Sequence, residues 1–193
     1  MAPTIQWDDK TKMSFQAGLD RGVLYLQDGT TAPWNGLTSV NAYDEANAEV
    51  ESYYVDGLKL LDVSGYGEFE ADLSAFTTPK EFDRCVGLGE INQGLSVAGQ
   101  QRESFGLSYR TLVGDSQKGL RRGYKIHLIY GATALSESES HETLSDDPAA
   151  MSLSWKLKTV AQHIPGRAPS AHLIIDTRYM YSSSVAALEA VLY

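Results

Sequence analysis

The stretch GVLYLQDGTTAPWNGLTSV, from Gly22 to Val40, gives the clearest indication of the fold. It begins with a short apolar run, Val23 to Leu26, and continues into a second run that starts at Pro33. The Asp28-Gly29 dipeptide between the runs is typical of a hairpin turn, because glycine adopts positive φ angles at no steric cost. The stretch therefore predicts an antiparallel hairpin near the start of the chain.

The segment YGEFEADLSAF, from Tyr66 to Phe76, alternates strictly between apolar and polar residues. Successive side chains of a strand point to opposite faces, so this pattern predicts a half-buried strand with one acidic face. The apolar face holds Phe69, Ala71, Leu73 and Ala75, and the polar face holds Glu68, Glu70, Asp72 and Ser74.

Other segments add strands and a second hairpin. Two apolar runs flank Asp56-Gly57 between Tyr53 and Val63, which predicts that hairpin. The run AHLIID, Ala171 to Asp176, predicts a buried strand, whereas the polar stretch Asn41 to Glu51 is interpreted as a long loop. Further alternating segments predict strands at Ser104–Leu112, Gly123–Ala132 and Met151–Val160.

Two helices complete the expected elements. Pro79 suits a first helical position and Gly87 can end a helix, which predicts a short helix from Pro79 to about Val86. The residues from Ser183 onward carry an apolar stripe at helical spacing. The predicted fold is mainly β, a β-sandwich or barrel with a short flanking α-helix and a C-terminal helix. Its divisions are an N-terminal arm (1–17), a β-sandwich domain (18–182) and the C-terminal helix (183–193).

Composition narrows the function classes. The chain has 193 residues, a formal net charge of −9 and a pI of about 4.8. This acidity argues against generic nucleic-acid binding, which needs lysine and arginine to replace phosphate counterions. Cys85 is the only cysteine and is expected to be a buried hydrophobe. We expect no signal peptide, because the first residues have no basic region followed by an apolar core. We expect no membrane span, because no apolar run approaches about 18 residues.

Catalytic and metal-binding patterns are sparse. No zinc-protease, phosphate-loop or paired-cysteine motif occurs in the sequence. His127 is expected on the polar face of its strand. Two of the four histidines could meet near Asp176 and bind a metal, but scattered surface or packing histidines are the favoured interpretation. No catalytic residue, metal or cofactor is therefore predicted.

The acidic row Glu68, Glu70 and Asp72 is open to three interpretations. It is an ordinary solvated strand face, a carboxylate pair for glycoside hydrolysis, or the lining of a channel. Carboxylates two residues apart on a strand lie roughly 6–7 Å from each other, so spacing alone does not reject hydrolysis.

Several segments, taken in order, resemble one protein family. They are GVLYLQDGT-x-x-PWNGL, YYVDGLKLL, FEADLSAFTTPKEFDRCVG, SFGLSYRTLVGD, GYKIHLIYGA, DDPAAMSLSW, PGRAPSAHLIID and the terminal ALEAVLY. Together they cover most of the chain from Gly22 onward. They resemble the major tail tube proteins of long-tailed bacteriophages, particularly those that infect actinobacteria.

The resemblance implies a virion structural protein that assembles in the host cytoplasm and is not an enzyme. Six subunits would form a ring, and rings would stack into a tail tube that conducts DNA during ejection without binding it specifically. The implied partners are further copies of the chain, a tape-measure protein, and tail terminator and baseplate proteins, with no membrane and no cofactor.

The resemblance also implies roles for individual residues. Glu68, Glu70 and Asp72 are expected to face the lumen. Contacts between rings are expected from the arm residues Ile5, Trp7 and Phe15 and from the loop residues Tyr43, Asp44 and Glu45. Two alternatives remain: a subunit of a type VI secretion-like tube, and a carbohydrate-binding β-sandwich.

Overall fold

The computed structural model describes residues 7, 13–46, 50–64, 68–117, 119–136, 143 and 150–193, with only the backbone at 45, 46, 64 and 136. The predicted mainly β fold is confirmed. Its strands are β1 (Phe15–Leu26), β2 (Thr31–Trp34), β3 (Leu37–Ala46), β4 (Val50–Val55), β5 (Leu58–Ser64), β6 (Glu68–Ala75), β7 (Gly89–Asn92), β8 (Leu95–Val97), β9 (Phe105–Asp115), β10 (Gly119–Ser136), β11 (Leu153–Thr159) and β12 (His172–Asp176). The α-helices are α1 (Asp83–Val86) and α2 (Ser182–Leu192), which follow 3-10 turns at Lys80–Phe82 and Thr177–Tyr179.

One antiparallel sheet of eight strands forms the body, in the order β2-β1-β9-β10-β11-β6-β3, with β12 added beside β10. Strand β10 belongs to both halves of this sheet. One half contains β2, β1, β9 and β12, and the other contains β11, β6 and β3. It pairs with β12 through Lys125–Ile129 and with β11 through Ala132–Ser136. The change of partner falls at Gly131, whose φ of 56° lies in the left-handed region that favours glycine. This irregularity allows the sheet to bend between its two halves.

The inner faces of the two halves share one hydrophobic core, which makes the body a β-sandwich. Phe82, from the 3-10 turn before α1, is fully buried at one end of it. Its ring centroid lies 4.5 Å from that of Trp34, 5.1 Å from Trp155 and 5.4 Å from Phe105. The short helix therefore acts as a plug, and Gly87, with φ of 81°, ends it as predicted.

Helix α2 packs on the outer face of β1, β9 and β10. The hydroxyl of Tyr25 donates to the carbonyl oxygen of Leu192 at 2.9 Å, and that of Tyr124 donates to Glu189 at 2.9 Å. Beneath the helix, Arg110 donates two hydrogen bonds to Asp20, at 2.8 and 2.7 Å. The guanidinium lies 4.5 Å from the Tyr124 ring centroid, and its Nη1 lies 3.8 Å from Oε1 of Glu189, so Arg110 and Tyr124 together tie α2 to the sheet.

Both predicted hairpins are confirmed. Strands β1 and β2 pair through Gly22–Tyr25 and Thr31–Trp34. Strands β4 and β5 are joined by Asp56 and Gly57, whose φ angles are 51° and 78°. Positive φ at both central residues is the geometry of a type I′ turn, which matches the right-handed twist of a hairpin. The predicted C-terminal helix is also confirmed, with its start at Ser182.

Three expectations about extended segments need correction. The long loop expected at Asn41–Glu51 is wrong, because β3 continues to Ala46 against β6 and β4 begins at Val50. Of the predicted arm, residues 15–17 are the first residues of β1, since they pair with β9. Strand β12 is not fully buried: Leu173 and Ile174 are exposed, because β12 pairs with β10 alone among the described strands.

Candidate functional site

The hairpin β4–β5 is the most exposed apolar feature of the described chain. Its two strands pair only with each other among the described strands, so it stands apart from the main sheet. A lone two-stranded hairpin is marginally stable at best in water. Eight of its described apolar side chains are exposed: Val50, Tyr53, Tyr54, Val55, Leu58, Leu60, Leu61 and Val63. A patch of this kind is typical of interaction surfaces.

Several polar side chains of the hairpin pair with one another. Lys59 forms an ion pair with Asp62 at 2.7 Å, and the Ser52 hydroxyl donates to the same carboxylate at 2.6 Å. The Tyr53 hydroxyl donates to Glu51 at 2.8 Å. These bonds stiffen the hairpin and leave its apolar side chains as the unmatched part of the surface.

A second, smaller hairpin repeats the pattern near α1. Strands β7 and β8 pair with each other and expose Ile91, Leu95 and Val97. Lys80, at the start of the 3-10 turn, lies 2.9 Å from Glu90 and ties this hairpin to the plug.

Strand edges without a pairing partner are the third exposed feature of the described chain. Among the described strands, β3 pairs only with β6 and β12 pairs only with β10. The unpaired N–H and C=O groups along such edges are a template for another strand. The opposite end of the sheet is blunter, because β2 has only four residues and one of them is Pro33.

The acidic row is placed as the alternation predicted, with Phe69, Ala71, Leu73 and Ala75 buried on the opposite face. Glu68 is exposed and Asp72 is half-buried, accepting a hydrogen bond from the Tyr43 hydroxyl at 3.1 Å. Glu70 is buried between Lys156, at 2.8 Å, and Lys158, at 3.7 Å. Strand β11 thus brings two cations beside the row, so the row is not a purely acidic surface.

The environment of Glu70 bears on the hydrolase interpretation. The hydrogen bond from Lys156 lowers the pKa of Glu70, and the nearby Lys158 charge adds to that effect. A general acid for glycoside hydrolysis needs a raised pKa and an open position beside its partner carboxylate. The ion-paired Glu70 has neither property.

The residues expected to contact a neighbouring ring are placed in different settings. Trp7 is 82% exposed and Phe15 is half-exposed at the start of β1. Tyr43 is half-exposed on β3, next to Asp44. Ile5 lies outside the described residues, as does the side chain of Glu45.

Asp44, whose side chain is 61% exposed, instead begins a chain of hydrogen bonds that leads inward to two buried imidazole rings and that the sequence did not indicate. Its Oδ1 lies 2.5 Å from Nδ1 of His172, and Nε2 of His172 lies 3.2 Å from Nδ1 of His127. Nε2 of His127 then lies 3.1 Å from the Thr111 hydroxyl. The expectation that His127 faces away from the core is wrong, because its ring is buried and stacks on Tyr109 at 4.6 Å.

His127 and His172 do meet, but the carboxylate beside them is that of Asp44 and not that of Asp176. Asp176 is occupied by Arg178, whose Nη2 lies 2.6 Å away. Burial, together with the charges of His172 and Lys125, lowers the pKa of His127 to about 4. No group of three or more metal-ligating side chains suited to hold an ion occurs among the described residues.

The single cysteine is buried, as expected. Burial raises the pKa of the Cys85 thiol to about 12, with the Glu103 carboxylate contributing. Because the thiolate is the reactive form, a thiol in this setting is inert at neutral pH.

Comparisons with known proteins leave the family open. No protein-family model matches this chain, and no curated protein matches it. In the part of the chain that the structure describes, no helix has the length and apolar character needed to cross a membrane.

Proposed function

We propose that this chain is a structural subunit of a phage tail tube, which assembles with identical copies into stacked hexameric rings. The observation that carries the proposal is the hairpin β4–β5, which exposes eight apolar side chains and pairs with no other strand among those that the structure describes. An assembly that covers this hairpin removes its apolar surface from water. This burial stabilises the assembly by about 25 cal/mol per Å² of apolar area buried.

Identical copies are the partners that suit the surface best. The chain presents a projecting hairpin and the open edges of β3 and β12 at the same time. A single small partner covers one of these features. Head-to-tail contacts between copies cover all of them, either in a ring when the rotation closes or in a filament when contacts continue along an axis. Closing strands into a shared barrel also removes their edges.

Under this proposal Glu68 and Asp72 face the lumen of the tube, whereas the buried Glu70 adds little charge to its surface. Glu68 is exposed and Asp72 half-buried, while Glu70 is compensated by the two lysines of β11. With a formal net charge of −9, a subunit wall repels a duplex rather than holding it. Under this proposal DNA transits the lumen without specific binding, and the further partners are the tape-measure, terminator and baseplate proteins of a virion tail.

Charge reversal of the hairpin tests the proposal. Leu58 and Leu60 are 75% and 65% exposed and lie two residues apart on β5, so they share one face. The double variant Leu58→Asp, Leu60→Asp places two charges on that face without touching the core. The matched control is Leu58→Val, Leu60→Val, which keeps the face apolar.

Sedimentation velocity of the three proteins gives the answer. Wild type and the valine control are expected to form rings or longer assemblies, and the aspartate variant is expected to sediment as a folded monomer. A wild type that remains monomeric, or an aspartate variant that assembles as wild type does, would contradict the proposal.

A further inference from the structure

The rings of His127 and His172 meet end to end. Nδ1 of His127 lies 3.2 Å from Nε2 of His172, and the two ring planes are nearly parallel, with an angle of 18° between them. The ring centroids lie 5.4 Å apart, which is close to the largest separation that two imidazoles can have at this nitrogen–nitrogen distance. The two nitrogens therefore point almost directly at each other.

Neighbouring aromatic rings hold both imidazoles in this orientation. The His127 ring stacks on Tyr109, with 4.6 Å between centroids and an angle of 2° between planes. The His172 ring packs against Phe69, with 4.7 Å between centroids. His127 is 9% exposed and the His172 side chain is 3% exposed, so little water reaches the space between them. The two facing nitrogens are therefore a fixed pair in a largely dry setting.

The outer nitrogen of each ring has a hydrogen-bond partner of its own. Oδ1 of Asp44 lies 2.5 Å from Nδ1 of His172, and the Thr111 hydroxyl lies 3.1 Å from Nε2 of His127. A carboxylate only accepts hydrogen bonds, so in the neutral ring Nδ1 of His172 carries the proton and Nε2 keeps its lone pair. Outer partners of this kind orient the histidines of metal sites and make the inner nitrogen a stronger ligand. Both rings thus have the surroundings typical of metal ligands.

We propose that His127 and His172 form a binding site for one monovalent copper ion, Cu(I), which the two facing nitrogens coordinate in line. The ion takes the place of the hydrogen bond between the rings. Imidazole nitrogen is a common ligand of copper, and Cu(I) is a closed-shell ion that is stable with two ligands in line. The site does not depend on the tail-tube proposal, because both ligands belong to one chain.

Ligand number and charge favour this ion over the commoner divalent metals. Zn²⁺ in a structural site takes four tetrahedral ligands, and no group of three or more metal-ligating side chains suited to an ion occurs among the described residues. Asp44 is the anion in contact with the pair, so it balances one positive charge between the rings and leaves a second unbalanced. The charge of Lys125 also acts on His127 and adds to the cost of a divalent ion.

Binding requires a small displacement of one ring. Two metal–nitrogen bonds of about 2 Å each place the nitrogens about 4 Å apart, which exceeds the present 3.2 Å by less than about 1 Å. His172 lies on β12, which pairs only with β10 among the described strands, so its ring can move outward without disturbing a second pairing. The Asp44 side chain is 61% exposed and can follow that ring.

The tautomer of His127 changes when the ion binds. In the neutral pair, Nδ1 of His127 donates to Nε2 of His172. The ion needs the lone pair of that Nδ1, so its proton leaves and Nε2 of His127 takes one up, with no net release of protons. Nε2 then donates to Thr111, whose hydroxyl can turn to donate to Oε1 of Gln16, 3.3 Å away.

Anaerobic calorimetry of the full chain measures the binding. Cu(I) is supplied as its acetonitrile complex, and the wild type is expected to bind one ion per chain with high affinity. An equal concentration of Zn²⁺ is expected not to displace it. X-ray absorption of the loaded protein is expected to show two nitrogen neighbours in line and no sulfur neighbour. A wild type that binds no Cu(I), or a bound ion with a sulfur neighbour or four ligands, would overturn the site.

Variants assign the ion to the histidine pair. His127→Phe keeps a ring against Tyr109 but removes one of the two ligands, and Asp44→Asn keeps an acceptor oxygen but removes the balancing charge. We expect affinity to fall by more than about 100-fold in the first and by about 10-fold in the second. The controls His163→Gln, which changes an exposed histidine, and Cys85→Ala, which removes the single thiol, are expected to bind as wild type does. Unchanged binding in His127→Phe, or its loss in folded Cys85→Ala, would contradict the assignment.

A measurement on the wild type covers the case in which His127→Phe fails to fold. Ag(I) has the same charge and a closed shell and does not change oxidation state under these conditions, so it replaces Cu(I) in solution spectra. Long-range ¹H–¹⁵N spectra report which ring nitrogen of each histidine carries a proton. Ag(I) is expected to move the His127 proton from Nδ1 to Nε2 and to shift Nε2 of His172, with His163 unchanged. Signals of His127 and His172 that do not respond to Ag(I) would refute the site.

Discussion

Replacing Phe82 by alanine tests how the sandwich is closed. Phe82 is 1% exposed, and three aromatic rings of β2, β9 and β11 contact it within 5.4 Å. Truncating a buried phenylalanine costs about 3–5 kcal/mol, and each aromatic pair adds about 0.5–1.5 kcal/mol beyond area burial. We therefore expect a loss near the upper end, about 4–5 kcal/mol, which is a large part of the 5–15 kcal/mol typical of a domain.

The control for this substitution is Phe76→Ala. Phe76 follows β6 and is 53% exposed, so its truncation is expected to cost less than about 1 kcal/mol. Urea unfolding is followed by tryptophan fluorescence, since Trp34 and Trp155 both touch Phe82. Measuring in the Leu58→Asp, Leu60→Asp background keeps association from adding to the apparent stability.

The refuting result is a free-energy loss for Phe82→Ala that is no larger than that for Phe76→Ala. It would mean that the 3-10 turn and α1 do not plug the core. An unchanged dependence of unfolding free energy on urea concentration is also expected, because the variant alters stability and not the surface exposed on unfolding.

Three further predictions concern other parts of the sandwich. Cys85 is expected to resist a thiol reagent such as a disulfide of nitrobenzoate at pH 8 and to react fully in urea; rapid labelling of the folded protein would contradict its burial. Arg110→Ala leaves Asp20 without its two charged hydrogen bonds and is expected to lower the unfolding free energy by about 2 kcal/mol, whereas an unchanged midpoint would argue against the bond's role. Gly131→Ala places a methyl group 3.2 Å from the carbonyl oxygen of Val160 at a φ of +56°, so thermal unfolding should show a loss of about 1–2 kcal/mol, and a more stable variant would contradict the strain.

Local signals predicted much of the fold. The two Asp-Gly turns act over a few residues, and both hairpins follow from them. The alternation of β6 depends only on which face is buried, so its core and polar sides were predictable. Gly87 ends α1 through its own positive φ, a local property of glycine.

The rest of the fold and of the site depends on pairing between strands far apart in the chain, and the sequence carries little signal for such pairing. The segment at Asn41 is polar on both faces, and β6 alone makes it a strand. Lys156 and Lys158 were visible as the polar face of β11, but their position beside Glu70 depends on the pairing of β11 with β6. His127 and His172 are 45 residues apart, and only the register of β10 with β12 brings them together. Asp44 contacts His172 across the sandwich from 128 residues away.

Electron cryomicroscopy of the purified wild-type protein tests the central claim most directly. The account predicts closed sixfold rings or stacked tubes in which the apolar side chains of β4–β5 contact a neighbouring copy and the edges of β3 and β12 are covered. Single subunits with the hairpin in water, at concentrations well above those inside an infected cell, would contradict it.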